Sequence, residues 1–146
     1  MSYSISALIM LIAGLGIPVL ASLNATLGKF IGSPVAAVTI LLFVAFFTIC
    51  LILVFTSNFP VGRIAEAPRH LFLAGLLVVF YMLSVTAIAP QFGVGNAIFF
   101  VLLGQLISAA LVDHFALFGS TGSPLTLTRT LGLGLMGLGV WMTQQA

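Results

Sequence analysis

Six charged side chains are all that this sequence contains, and their spacing limits what it can fold into: Lys29, Arg63, Glu66, Arg69, Asp113 and Arg129. Together with His70 and His114 they leave uncharged runs at 1–28, 30–62, 71–112, 115–128 and 130–146. The first three each exceed the roughly 20 residues that carry a helix across a hydrocarbon core. A soluble domain carries about 25% charged residues. Here 4% are charged and 62% hydrophobic, so the sequence reads as an all-α integral membrane protein with a single membrane domain over 1–146.

The same sparseness removes several functional classes. Four scattered bases and a net charge of +2 form no patch that could neutralise a row of phosphates, which excludes nucleic-acid binding. Cys50 is the single cysteine, so no intramolecular disulfide and no Cys/His metal cluster can be assembled. No nucleophile, base and orienter occur together, and no phosphate-binding glycine loop is present, so neither an enzyme nor a cofactor site is expected. The opening Met-Ser-Tyr-Ser has no basic segment, and no cleaved leader is expected.

Glycine, proline and charge divide the runs into about five spans, at 5–26, 35–56, 71–89, 95–113 and 128–145. The first connection is Gly28-Lys29-Phe30-Ile31-Gly32-Ser33-Pro34, with Pro34 suited to the first turn of the next helix. The long third run is expected to break at Ala89-Pro90-Gln91-Phe92-Gly93, making spans three and four a helical hairpin. The fifth span starts near Arg129 and ends with Trp141 and Gln144-Gln145, an interfacial aromatic followed by a wet terminus. Five spans place Arg63, Arg69 and Arg129 on one side and Lys29 on the other, favouring a cytoplasmic N-terminus and an outer C-terminus.

Hydrophobicity does not drive helices together in lipid, so small residues and buried polar groups must. At about 100° per residue, Ala7, Gly14, Pro18, Ala21, Ala25 and Gly28 share one face of span one. Span five carries two such faces: Gly132, Gly139 and Thr143, and Thr130, Gly134 and Gly137. One can seal the chain's own bundle while the other is incidental or meets a second copy. Pro18 removes a backbone hydrogen bond; the kink either exposes carbonyls to a cavity or improves packing.

Asn24, Asn96 and Gln105 are carboxamides at membrane depth, where each needs another helix, water or a solute as partner. Gln105, flanked by Gly104 and Ser108, is the first candidate for a solute path, against the competing role of a bond between helices. Asn24 lines a path or caps a helix end. Tyr81 and Ser84, at an i, i+3 spacing, offer hydroxyls to a path or belong to the packed interior. Asp113 and His114 are the neighbouring acid and imidazole, read either as a coupling or gating pair or as interfacial anchors. Adjacent helical residues point about 100° apart, so the two do not share one proton unaided. Glu66 and His70 belong to a polar surface connection. No carboxylate stands mid-span, which disfavours a cation exporter built on a central acid.

Leu23-Asn24-Ala25, Gly32-Ser33-Pro34, Phe80-Tyr81, Leu83-Ser84, Ala89-Pro90, Gly104-Gln105, Asp113-His114-Phe115 and Arg129 with Gly132 and Gly139 follow one another in an order that resembles the YdcZ-like family of the drug/metabolite transporter superfamily. The resemblance runs from about Gly14 to Val140. It departs at Val78, where a small residue is expected, and in the bulk of Phe43 to Thr48. It implies a five-span half of a ten-span transporter working in oppositely oriented pairs, as a homodimer or with a related partner. By position it points to Asn24, Tyr81, Gln105, Asp113 and His114. The expected function is secondary transport of a small metabolite or drug-like solute across the bacterial inner membrane by alternating access. The alternatives are a non-transporting membrane subunit that docks through the glycine faces, and a channel-like leak.

Overall fold

The computed structural model describes residues 2–56, 61–120, 122, 125–143 and 145, and divides the chain into two compact units, Met1–Val94 and Gly95–Ala146. Among the described residues there are helices and no strands: α1 (Tyr3–Ile31), α2 (Pro34–Thr56), α3 (Val61–Glu66), a 3-10 turn (Arg69–Leu73), α4 (Ala74–Phe92), α5 (Val94–His114), a second 3-10 turn (Leu117–Gly119) and α6 (Leu127–Thr143). Four stretches are long and apolar enough to cross a membrane: Tyr3–Ile31, Pro34–Thr56, Arg69–Phe92 and Val94–His114. Where the fifth span was expected, the chain forms the 17-residue α6, about 26 Å at 1.5 Å per residue. Its expected continuation to 145 passes through Gln144, which lies outside the described residues.

In the first unit, α1 stays helical five residues beyond its expected end at 26. Gly32 adopts a left-handed conformation, φ 77 and ψ 13, which ends α1 and lets its N–H donate to the Gly28 carbonyl. That carbonyl also accepts the Ser33 N–H at 3.1 Å. Ser33 then starts α2: its Oγ accepts the Ala36 N–H at 3.2 Å and its carbonyl the Ala37 N–H at 3.1 Å, with Pro34 at the first helical position. One residue thus separates the end of a helix from the cap of the next.

α2 has no polar face. Thr39, Thr48 and Thr56 donate their hydroxyls to the carbonyls of Val35, Val44 and Ile52, four residues back, at 2.9, 2.8 and 2.6 Å. Their polar atoms are thereby satisfied without a neighbour, as a lipid-facing helix requires. Phe43, Phe46 and Phe47 project outward around them.

The expected break at Ala89–Gly93 falls later than Pro90. α4 runs through Pro90 to Phe92, and Gly93, at φ 92 and ψ 135, ends it. A proline restricts its predecessor without forbidding the helix, and a membrane helix tolerates the lost bond when neighbours cover it. Glycine supplies the positive φ that no other residue there could adopt cheaply.

The interior of this unit is small. Ala21, Asn24, Ala25 and Gly28 of α1, Ala37 and Val38 of α2, and Val85, Thr86 and Ala89 of α4 are its buried residues. They gather the end of α1, the beginning of α2 and the end of α4, so the three helices alternate in direction. Lys29 therefore sits at the opposite end of the unit from Arg63 and Arg69. Small side chains let the backbones approach closely, the contact that dispersion forces reward in lipid.

In the second unit Gly137 of α6 faces α5, where a β-carbon would meet Leu103 Cδ1 at 3.5 Å. Gly132, Gly134 and Gly139 have nothing within 4 Å of such a β-carbon.

Candidate functional site

Among the described residues a single polar contact joins α1 to α4. Asn24 Nδ2 donates to Thr86 Oγ1 at 2.6 Å, and the two residues are 4% and 3% exposed. Asn24 lies in the interior of α1, which corrects the reading of it as a helix-end cap: α1 continues to Ile31 because Gly32, not Gly28, takes the left-handed conformation. Beside the pair, Gly28 offers no side chain; a β-carbon there would lie 3.3 Å from Thr86 Cγ2. Pro90, one turn beyond Thr86, has no N–H to give to the Thr86 carbonyl. The site thus concentrates a carboxamide, a hydroxyl and a backbone carbonyl released from its helical bond.

Two clefts adjoin this contact, and a third lies next to one of them. One of about 490 Å³ lies between α1 and α2, walled by Gly16, Leu20, Leu23, Asn24 and Leu27 with Leu41. Two smaller ones, about 310 and 370 Å³, flank the end of α4 and share Lys29 and Pro90. The first is apolar except for Asn24. The smaller two are open to the ammonium of an exposed lysine in the last turn of α1, where a cation complements the helix dipole.

The second unit holds the charges that sequence analysis singled out. Arg129 donates a 2.5 Å charge-assisted bond from its guanidinium to Asp113 Oδ2, with side chains 31% and 37% exposed. His114 Nδ1 accepts the Leu125 N–H at 3.1 Å. Ser120 Oγ donates to the Val112 carbonyl at 3.2 Å. These bonds fasten the α5–α6 connection, in which Ala116 (φ 48) and Phe118 (φ 54) hold left-handed conformations that side chains disfavour. Asp113 and His114 thus address different partners.

Gln105 and Ser108 stand within α5, both exposed, and neither side chain hydrogen-bonds to another described residue. Tyr81 is half-buried on α4, and Pro18 is exposed on α1. The α1 face of small residues divides in two: Ala21 and Gly28 are buried, whereas a β-carbon added at Gly14 would meet nothing within 4 Å. The described residues contain no group of three His, Cys, Asp or Glu able to hold a metal ion.

Two participants were not singled out by sequence analysis. Thr86 carries the partner hydroxyl for Asn24; its signal was a polar β-branched residue four positions before a proline, the position whose carbonyl that proline orphans. Arg129 was read as an interfacial side chain, while its placement opposite Asp113 depends on a connection whose path no periodicity reveals.

The family described as "Putative inner membrane exporter, YdcZ" matches residues 5–142. Comparison with curated proteins and with solved structures returned no match. A match over nearly the whole chain, together with helices long enough to span a bilayer, makes this an integral inner-membrane protein: the chain belongs to the YdcZ family of inner-membrane exporters.

Proposed function

We propose that this chain is a five-span half of a secondary transporter that moves a small metabolite or drug-like solute by alternating access. It acts as a pair of oppositely oriented units, formed with a second copy or a closely related chain. α6 serves as the fifth span: about 26 Å is short, yet a bilayer can thin locally to meet it, and the helix carries one charge, near its start. An odd number of spans turns two joined units into an inverted repeat, which offers equivalent inward and outward faces. The N-terminus is cytoplasmic, with Arg63, Arg69 and Arg129 on that side.

The observation that carries the reading is Gln105. A carboxamide near the middle of α5, exposed beside Ser108 and without a hydrogen bond to the described residues, needs water, a solute or a second unit in hydrocarbon. A solute path supplies all three. On this reading Asn24 and Tyr81 are path residues of the first unit, and in the second unit Asp113 and His114 take a gating role through exchange of the Arg129 bond.

Reconstitution into liposomes tests it. Flux across a broad metabolite panel should saturate with solute, and Gln105→Leu should lower it at least tenfold while the pair still assembles. No flux for any solute, alongside an active control transporter, would sink the proposal. Flux that never saturates would mark a channel, and assembly without flux a docking subunit.

A further inference from the structure

We propose that the α1–α2 cleft is a binding site for an uncharged, mainly apolar molecule bearing a hydrogen-bond donor, which Asn24 Oδ1 receives. This names the cargo class of the transport reading, and rests on that reading only in calling the ligand cargo.

Asn24 is 96% withdrawn from contact with the surroundings, the complement of its 4% exposure, and spends one N–H on Thr86. Its Oδ1 accepts no hydrogen bond from the described residues. A buried carbonyl oxygen left without a donor is destabilising, and in lipid no water stands by to relieve it. Such an atom persists where something else supplies the donor. Asn24 borders a cleft of about 490 Å³, a volume in the range that accommodates a small organic molecule.

The wall decides the rest of the chemistry. Leu20, Leu23, Leu27 and Leu41 supply apolar surface, and Gly16 leaves open space. No charged residue contributes to this cleft; the nearest charge along α1 is Lys29, which opens onto the two other clefts instead. A cation or anion entering an apolar wall in hydrocarbon would shed its hydration with no counter-charge to replace it. A neutral donor sheds far less and recovers one bond from Oδ1. A second copy of the chain brings no mid-span charge either, because all six charges stand outside the helices or within three residues of a helix end, in α3 or in the 3-10 turn.

Three probes with one diazirine-bearing apolar body separate these terms: a terminal primary amide, a methyl ester without a donor, and a trimethylammonium. Photolabelling uses the full chain in phosphatidylcholine nanodiscs, a lipid without hydrogen-bond donors. The amide probe should label α1 between Gly16 and Leu27 and α2 near Leu41, saturably, with the ester and the trimethylammonium at least tenfold weaker. Asn24→Leu should lower amide labelling at least tenfold. Thr86→Val removes the same contact between helices while leaving the carboxamide, and should retain labelling within threefold. Equal labelling by the trimethylammonium, labelling elsewhere, or an unaffected Asn24→Leu protein overturns the proposal. Loss in both variants overturns it too, since packing alone would then explain the effect. Replacing the lipid by phosphatidylglycerol, whose headgroup hydroxyls can donate, distinguishes the source: competition identifies a lipid occupant, no competition a free solute, and both retain the site. Labelling without flux leaves the site standing and removes transport; flux without this labelling does the reverse.

Discussion

Gly28 lies where α1 meets both α2 and α4, and substituting it tests the packing of the site quantitatively. A β-carbon there would sit 3.3 Å from Thr86 Cγ2, 3.5 Å from the Pro34 Cα and 3.7 Å from Ala37 Cβ. Only the first is tighter than ordinary contact. The Thr86 methyl is buried, and its hydroxyl is held by Asn24 at 2.6 Å, so it cannot swing away without moving that bond. Gly28→Ala gains about 1 kcal/mol of helix propensity. Crowding a packed interior costs about 1–3 kcal/mol, which leaves a net loss of about 1 kcal/mol. Thr86→Ser deletes the offending methyl and keeps the oxygen that Asn24 uses. In that background Gly28→Ala should recover about 1 kcal/mol, a coupling well outside the scatter of about 0.3–0.5 kcal/mol expected of independent sites. Gly28→Leu gains no such relief, because the Pro34 backbone blocks the other direction, and should cost about 3 kcal/mol. Unfolding titrations in mixed micelles, run as a double-mutant cycle, read both quantities. Additive Gly28→Ala and Thr86→Ser effects, or a Gly28→Leu protein as stable as the parent, would refute the close approach of α1 and α4.

Thr86→Val should destabilise the protein by about 0.6 kcal/mol, the usual worth of a bond between membrane helices, and by no more than about 1.7 kcal/mol in the same titration. Ser33→Ala removes the cap of α2 and should cost about 1 kcal/mol, with faster amide exchange at Ala36 as the local signature. Asp113→Asn should cost about 0.2–1 kcal/mol because the pair with Arg129 is partly exposed, and added salt should shrink the difference. Gln105→Leu should leave stability unchanged within about 0.5 kcal/mol, since Gln105 contributes no bond to a described residue, while flux falls.

Helix existence was legible in the sequence because charge-free runs leave a chain in lipid few options, and four of the helices lie within a few residues of their expected bounds. Their ends were legible only where the chemistry was local: Gly32, Ser33 and Pro34 announce the first turn by residue type alone. The next break falls within the expected Ala89–Gly93 but at its glycine, three residues past Pro90, because a missing N–H weakens a helix locally whereas tertiary cover decides whether the helix goes on. At the site, Asn24 and Gln105 stood out as amides in apolar runs. Their surroundings did not, since whether a carboxamide meets a partner or an opening depends on which face a neighbouring helix presents. Asn24 met Thr86 across 62 residues of sequence, a separation at which periodicity carries no information. Asp113 was visible as a rare charge, but its bond to Arg129 depends on the strained connection between them.

The claim that one chain supplies half of an inverted pair depends on α6 crossing the membrane, and locating the C-terminus tests it most directly. Paired reporters fused after the last residue, one active in the cytoplasm and one active outside, are compared with the same pair on the N-terminus. Five spans predict that the two ends lie on opposite sides: outside for the C-terminus with a cytoplasmic N-terminus, or both reporters active at each end if single chains insert in both orientations. A C-terminus found only in the cytoplasm, together with a cytoplasmic N-terminus, would contradict the account, leaving four spans and no inverted pair.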